Sequence, residues 1–195
     1  MDTPSAAGRL AGGAEGLMSL AIAGYRIRSA REGDLAALPD IERAAARLFA
    51  PWGLDVLFGS TTTPIEVSRG AMTRDDLVVV APDDGDPRPV GFALTSRVDW
   101  HAHLDELAVH PDHGRRGIGH ALVLTVLERA RERGLGRVTL ATMREVPFNG
   151  PWYRERLGFR ELSQDELGPG LRAIFQREMA GGLPVAERIF LGRDL

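Results

Sequence analysis

The chain contains no cysteine among its 195 residues, so disulfide bridges, thiolate metal ligands and a thiolate nucleophile are excluded. It also has no apolar run long enough to cross a bilayer, and we expect no contact with a membrane. An excess of positive charge is lacking as well, because the formal net charge is −3. This balance gives no electrostatic reason to expect nucleic acid or an anionic membrane surface as a partner.

The amino-terminal stretch is poor in charge and rich in Gly, Ala and Ser. We therefore expect a flexible leader at residues 1–24, followed by a single domain at residues 25–195 that is large enough to bury a sizeable core. The leader lacks a basic start followed by a continuous apolar segment, so a secretory signal is not expected. Together with the absence of cysteine, this favours a cytoplasmic location.

The rest of the chain alternates strand-like and helix-like segments. Strands are predicted at 25–28, 77–81, 90–98, 101–109 and 137–143, from 159, and at 188–193. Helical segments are predicted at 34–49, within 51–70, and at 118–133, 151–157 and 171–180, with Asp34 as a cap and Pro39 at a break or start. A polar turn is predicted at 82–89. The pattern indicates an α/β fold in which helices cover both faces of a mixed sheet.

The most informative segment runs from Val109 to Leu122 and reads V-H-P-D-H-G-R-R-G-I-G-H-A-L. It leads from an apolar strand through a glycine-rich loop into an amphipathic helix. Glycines allow the backbone to approach a ligand closely, and the first turn of a helix leaves N–H groups unpaired at the positive end of the helix dipole. Arg115 and Arg116 add full positive charge. The segment therefore predicts a site for a phosphate or pyrophosphate.

Two common phosphate loops do not match this segment. The nucleoside triphosphate loop requires Lys and then Ser or Thr after its last glycine, where this chain has His120 and Ala121. The dinucleotide fingerprint requires a third glycine where this chain has Leu122.

The segment resembles the acyl-coenzyme A loop of the GNAT N-acetyltransferases, L-x-V-x-P followed by Q/R-x-x-G-x-G/A and a helix. Leu107, Val109, Pro111, Gly117 and Gly119 match, whereas Gly114 stands where the family usually has Gln or Arg. The order of elements agrees with the GNAT acyl-CoA N-acyltransferase fold over residues 25–195. The resemblance implies acetyl-CoA (coenzyme A) as cofactor, with the following binding residues: Leu107, Ala108, Val109, Gly114, Arg115, Arg116, Gly117, Ile118, Gly119 and His120.

A second family-like segment is Asn149–Phe159, N-G-P-W-Y-R-E-R-L-G-F. GNAT enzymes commonly have an Asn, a helix that bears a Tyr, and a Gly-Phe pair. The resemblance implies that Tyr153 protonates the leaving thiolate of coenzyme A; it lies five residues before Gly158, where the family usually has four. Alternatively, Trp152 and Tyr153 are packing residues. Asn149 either hydrogen-bonds the pantetheine arm or caps the helix.

An amine acceptor is protonated at neutral pH and must lose a proton before it attacks. The family places such a base on the strand at 101–109. Simple alternation puts His101, His103, Asp105, Leu107 and Val109 on one face, and Ala102, Leu104, Glu106 and Ala108 on the other. Glu106 then interrupts an apolar face, where burial raises the pKa of a carboxyl group. We favour Glu106 as the base; His103 and Asp105, water-mediated transfer, and merely solvated polar groups are the alternatives.

His101 and His103 also raise the question of a metal. Two imidazoles on one strand need a third ligand, and His110 and His113 belong to the glycine loop instead. We expect no metal.

The resemblance implies that the acceptor enters between the first helices and the far end of the sheet. Glu42, Phe49, Trp52 and Phe58 are then candidate wall residues, or else core residues, and 167–172 covers the pocket from the other side. We expect a small-molecule or peptide amine, and leave a homodimer open. Two functions remain: an acetyl-CoA-dependent N-acetyltransferase in which the amine attacks directly within a ternary complex, or a non-catalytic domain that binds or senses acyl-CoA.

Overall fold

The computed structural model describes residues 22–83 and 88–195. Most of the predicted leader and the centre of the predicted turn at 82–89 lie outside these residues. Within them, a single seven-stranded sheet has the order β1-β2-β3-β4-β5-β7-β6. The strands are β1 (Tyr25–Ser29), β2 (Leu77–Pro82), β3 (Gly91–Val98), β4 (His101–Val109), β5 (Arg137–Met143), β6 (Arg160–Glu161) and β7 (Arg188–Asp194). Only β4 and β5 pair in parallel, which confirms the predicted mixed sheet.

The helices also lie where the sequence predicts them. They are α1 (Leu38–Ala46), α2 (Asp55–Gly59), α3 (Ile65–Thr73), α4 (Ile118–Glu132), α5 (Gly150–Leu157) and α6 (Pro169–Ala180). Pro39 lies in the first turn of α1. The residue that precedes the 3₁₀ turn Glu32–Ala37 is Arg31 and not the predicted cap Asp34, which is the third residue of the turn and accepts the N–H of Arg31 on its carboxylate at 2.7 Å. In the described part of the chain, no helix is long and apolar enough to span a membrane.

Two apolar clusters cover the two faces of the sheet. The larger one, which we name the α4-face cluster, packs α4 against the strands and includes Val80, Ala93, Leu104, Leu122 and Leu140. The smaller one, the α1-face cluster, packs α1 and α3 against the other face and includes Leu38, Ile41, Phe92, Leu94 and Ala108. The helices α1, α3 and α4 therefore bury their apolar stripes against the two faces of the sheet, as a three-layer α/β arrangement requires.

A β-bulge interrupts the pairing of β3 with β4. Leu94 lies opposite Glu106 and Thr95 lies opposite Leu104, so Asp105 is an extra residue without a cross-strand partner. Because a bulge adds one residue to the strand, every later side chain lies on the face opposite to the one that simple alternation predicts. Sequence alternation beyond this point is therefore unreliable.

The predicted alternation along β4 is wrong for this reason. Leu107 and Val109 contact the α4-face cluster, together with Ala102 and Leu104 from before the bulge. Glu106, paired with Leu94, lies instead on the α1 face. His103 pairs with Ser96, two residues along β3 from Leu94, so it lies on that same face. The bulge thus places His103 and Glu106 on one side of the sheet.

The bulge also coincides with an opening between β4 and β5. These two strands pair at only three positions, from Ala102 opposite Val138 to Leu104 opposite Leu140. Beyond Leu104, the edge of β4 that faces β5 has no strand partner within the described residues. Its backbone N–H and C=O groups are left for another partner, because unpaired main-chain groups must be satisfied when they are covered.

Candidate active site

The glycine loop connects the open end of β4 to α4. Arg115 and Gly117 both adopt left-handed backbone angles, with φ of 61° and 82°, which glycine adopts at little cost and other residues adopt rarely. The first main-chain bond of α4 runs from the N–H of Ala121 to the carbonyl of Gly117, at 3.0 Å. The N–H groups of residues 118–120 therefore have no acceptor among the described residues, the local geometry that an anion site at a helix N-terminus requires.

Positive charge flanks these amides. Arg115 is exposed and makes no hydrogen bond or ion pair within the described chain. Arg116 donates to the Oη of Tyr25 at 3.0 Å, and this hydroxyl is also 2.8 Å from the Nδ1 of His113. The contact ties the loop to β1 without neutralising the guanidinium, because Tyr25 is an uncharged partner. Burial, and then the charge of Arg116, lower the pKa of His113.

Loop and strand together fit coenzyme A. The diphosphate matches the three free amides and the two arginines, and the amide-bearing pantetheine arm matches the unpaired edge of β4 at Leu107, Ala108 and Val109. Gly119 lies where an added Cβ would be 3.9 Å from Trp152 and 4.0 Å from Val109. A methyl group fits there at ordinary contact distance, whereas a longer side chain would enter the space around the loop.

Asn149 precedes α5, and its carbonyl accepts the N–H of Tyr153 at 3.0 Å. Its side chain makes no capping hydrogen bond, so the interpretation of Asn149 as a side-chain cap is wrong. The amide group has no partner among the described residues. Gly150 follows, and a Cβ there would lie 2.5 Å from the carbonyl oxygen of Arg144. Only glycine fits that close approach, a constraint that no local sequence signal reveals.

Tyr153 is buried in the α4-face cluster. Its ring centroid lies 4.8 Å from that of Trp152 and 5.6 Å from that of Phe159. The side chain therefore packs in the core, while its hydroxyl has no hydrogen-bond partner in the described part of the chain. Burial, and then the negative charge of Glu106, raise the pKa of Tyr153 above its usual range. The phenol consequently stays protonated and lies within electrostatic reach of Glu106.

Glu106 is half-buried beside the opening of the sheet. Burial is the largest cause that raises its pKa to about 7, and the charges of Glu42 and Asp105 act in the same direction. A hydrogen bond with the backbone of Leu107 and the positive charge of Arg188 oppose them. Arg188 pairs with Glu178 of α6. A carboxyl group with this pKa exists in both protonation states near neutral pH, as a general base requires.

The other two candidate bases differ from Glu106. His103 is buried, its Nδ1 lies 2.9 Å from the Oγ1 of Thr139, and burial lowers its pKa to about 4. It is therefore a neutral, already bonded group. Asp105, at the bulge, is an exposed residue whose carboxylate accepts a hydrogen bond from the Oγ of Ser96 at 3.0 Å. Desolvation of that carboxyl group by the surrounding protein raises its pKa to about 6.

The histidines of β4 do not form a recognisable metal centre. The Nδ1 of His101 is buried without a hydrogen-bond partner, and His103 is engaged by Thr139. Across residues 22–83 and 88–195, no three His, Cys, Asp or Glu side chains lie close enough to hold a metal ion.

The residues predicted to line the acceptor pocket form two groups, the acidic residue Glu42 and the aromatic residues. Glu42 of α1 is buried and accepts the N–H of Thr63 on its Oε2 at 2.7 Å. The aromatic residues Phe49 and Phe58 lie in contact, with centroids 4.6 Å apart. Phe148, which the sequence did not single out, contacts Phe49 at 5.0 Å.

The segment at 167–172 lies near the start of β4. The N–H groups of Gly170 and Leu171 donate to the carboxylate of Asp99, in the β3–β4 turn, at 2.8 and 2.9 Å. Leu167 and Leu171 are buried in a small separate cluster with Leu162 and Phe190. This anchors the first turn of α6 to the sheet, and its predicted place over a pocket stays a prediction.

Comparison with known proteins agrees with this geometry. The model of the acetyltransferase (GNAT) family matches residues 43–159, more than half of the chain. The mycothiol acetyltransferase of Nocardiopsis dassonvillei is 32% identical over 143 residues, which cover 68% of this chain but only 42% of that protein. The chain therefore belongs to the GNAT acetyltransferase family, and the predicted family is confirmed.

Solved structures show the same fold. N-acetylglutamate synthase from Neisseria gonorrhoeae, complexed with coenzyme A and N-acetyl-glutamate, superposes with a TM-score of 0.64 and 22% identity over 88% of this chain and 35% of that one. PaiA N-acetyltransferase from Thermoplasma acidophilum, complexed with coenzyme A, superposes with a TM-score of 0.62 and 15% identity, over 88% of this chain and 99% of that one. The ribosomal-protein-S18-alanine N-acetyltransferase of Escherichia coli superposes with a TM-score of 0.58 and 18% identity, over 87% of this chain and 93% of that one. The predicted fold class is confirmed, and the first two of these structures hold coenzyme A, the carrier of the predicted acetyl group.

Proposed function

We propose that this chain transfers the acetyl group of acetyl-CoA to a primary amine by direct attack within a ternary complex. The observation that carries the proposal is the position of Glu106. This half-buried acid, whose pKa is about 7, lies directly after the point at which β4 separates from β5. A base of that strength beside an open strand edge and a helix N-terminus is the arrangement that this reaction requires.

Cofactor binding is assigned to the main chain and to two arginines. The amides of residues 118–120 hold the diphosphate, and Arg115 and Arg116 supply charge. The free edge of β4 at residues 107–109 pairs with the amides of the arm, as an added strand would. The unpartnered side chain of Asn149 is placed to bond the same arm.

Glu106 accepts the proton that the acceptor ammonium must lose. Bound acetyl-CoA supplies the thioester carbonyl; the amine nitrogen then forms a bond to that carbon and releases its second proton to solvent, while the carbon–sulfur bond breaks. Because the thiol pKa of about 8.5 lies below that of Tyr153, complete proton transfer from the phenol is uphill. Tyr153 therefore donates a hydrogen bond that stabilises the departing sulfur, which finally takes its proton from solvent.

The class of acceptor is a small-molecule or peptide amine. The names of the relatives refer to different molecules, among them mycothiol and the alanine of a ribosomal protein. Since the chain spans less than half of the mycothiol enzyme, none of these acceptors is carried over.

A thiol-release assay tests the proposal. Purified protein is mixed with acetyl-CoA and a broad panel of primary amines, free coenzyme A is measured with a chromogenic disulfide, and the N-acetyl product is identified by mass spectrometry. We expect amine-dependent release with at least one amine. Cofactor binding without release by any amine would contradict catalysis and favour the binding or sensing role instead.

A further inference from the structure

Four aromatic side chains, which we name the aromatic cluster, meet beside the proposed site: Phe49, Trp52, Phe58 and Phe148. Ring centroids lie 4.6 Å apart for Phe49 and Phe58, 5.0 Å for Phe49 and Phe148, and 5.7 Å for Trp52 and Phe148. The cluster is incompletely covered, because Trp52 and Phe148 remain 42% and 37% exposed. Partly exposed rings that contact one another form a ready surface for an apolar ligand group.

The cluster joins the two segments that flank Glu106. Phe49 and Trp52 belong to the 3₁₀ turn that continues α1, and Phe58 belongs to α2. Phe148 comes from the other side, immediately before Asn149 and the start of α5. Glu42 lies on α1, before the first of these segments, and Tyr153 lies on α5, after the second. Both residues interact electrostatically with Glu106.

One carboxylate oxygen of Glu42, on the helix that leads to this cluster, lacks a hydrogen-bond donor within the described residues. The residue is only 9% exposed. Its Oε2 accepts the N–H of Thr63, but its Oε1 is buried and has no hydrogen-bond partner in the described chain. A buried carboxylate oxygen without a donor is costly, and an ammonium group offers three donors. The orphaned oxygen and the nearby Glu106 therefore match a cationic head group.

We propose, on the basis of the function proposed above, that the acceptor is a primary amine carried on an aromatic or similarly bulky apolar group. The apolar group packs against the aromatic cluster, while the ammonium lies between the carboxyl groups of Glu42 and Glu106. Glu42 is a positioning residue in this arrangement. An amine that carries its own carboxylate is disfavoured, because it would bring like charge to the two acids.

The test compares three acceptors in the thiol-release assay: 2-phenylethylamine, propylamine and L-glutamate. Burial of a phenyl ring predicts a kcat/KM for 2-phenylethylamine that is roughly tenfold or more above that of propylamine, with L-glutamate the poorest. Phe148→Ala should reduce this ratio to near one. Val56→Ala is the matched control, because Val56 lies on α2, is 76% exposed and is not part of the cluster.

Glu42→Gln provides an independent readout. Glutamine retains an oxygen for the N–H of Thr63, so the fold is preserved, but it loses the charge that attracts the ammonium. At a pH where Glu106 is fully ionised, we expect a higher KM for 2-phenylethylamine and little change in kcat. A merely structural Glu42 would leave KM unchanged in this conservative variant, and that result would overturn its assignment.

The outcomes separate the two proposals. Release with propylamine or L-glutamate that equals or exceeds release with 2-phenylethylamine would overturn the acceptor class and leave acetyl transfer intact. Release with no amine would overturn the transfer reaction. In that event, calorimetric binding of 2-phenylethylamine to the protein saturated with coenzyme A, weakened by Phe148→Ala but not by Val56→Ala, would still support the acceptor site, and absence of such binding would overturn it too.

Discussion

The two faces of the sheet differ in what they bury. The α4-face cluster is a continuous apolar layer whose ionisable side chains, among the described residues, are the uncharged phenols of Tyr153 and Tyr25. The other face combines a smaller apolar cluster with His103, Glu106 and, from α1, Glu42. Burial of ionisable groups destabilises a fold unless they are neutral or paired. The comparison indicates that the α4 face supplies stability, while the α1 face retains costly groups for chemistry.

The largest effect is expected in the glycine loop, at the start of α4. Gly119→Glu places a carboxylate in the first turn of α4, where it occupies the proposed diphosphate site and repels an anion. We expect coenzyme A affinity to fall roughly a thousandfold or more. An acidic residue at a helix N-terminus does not destabilise the helix, so circular dichroism should show an unchanged fold.

Gly119→Ala is the matched control, because a methyl group meets only ordinary contacts at this position. It should retain most of the affinity. Equal affinities for coenzyme A in the Glu variant and the Ala variant would place the cofactor elsewhere.

The next effect concerns the base on the α1 face. Glu106→Gln should lower kcat roughly a hundredfold or more, because a positioned base contributes about that much, and should leave the affinity for coenzyme A unchanged. Asp105→Asn, at the neighbouring bulge position, is the control and should have a much smaller effect. A larger loss from Asp105→Asn than from Glu106→Gln would transfer the role of base to Asp105.

Stability measurements sharpen the comparison of the faces. Leu122 of α4 is completely buried against the sheet, so Leu122→Ala should lower the free energy of unfolding by about 2–5 kcal/mol. Glu106→Gln should instead raise the unfolding temperature at pH 8, because the folded pKa of Glu106 lies above its usual value and ionisation therefore opposes folding. This gain should fade as the pH falls from 7 towards 4.5. Destabilisation by both variants at pH 8 would contradict the assignment of stability to the α4 face and of costly ionisable groups to the α1 face.

The smallest effect is a shift of the pH profile. The base acts when it is ionised, and the pKa of the ligand-free enzyme governs kcat/KM, so kcat/KM should be lost as the pH falls through about 7. Glu42 and Asp105 raise this pKa and Arg188 lowers it, while the neutral phenol of Tyr153 is the other titratable group facing Glu106. Glu42→Gln should therefore move the acidic limb to lower pH. An unmoved limb would show that Glu42 does not interact with the base.

Local patterns predicted the backbone of the glycine loop. The loop from Pro111 to Gly119 is one contiguous segment whose residue types follow from helix-terminus chemistry, and the structure shows the left-handed turn at Gly117 and the free amides that this chemistry requires. Long elements such as α4 and β2 were also predictable, because their apolar residues form a helical stripe or a continuous β-branched run.

Features that depend on distant partners were not predictable. The bulge at Asp105 arises from pairing with β3, so alternation within β4 alone assigned Leu107 and Val109 to the wrong face. Phe148 lies in a loop with no local signal and acquires its place only through Phe49 and Trp52. The absence of a side-chain cap at Asn149 likewise depends on backbone angles that residue type does not determine.

The account as a whole depends on the free amides at residues 118–120 and on the open edge of β4. Isothermal titration of the purified chain with coenzyme A tests both directly. We expect saturable heat with one molecule bound per chain and weaker binding at higher ionic strength, since arginines flank the diphosphate. A folded sample that gives no heat with coenzyme A would contradict the account.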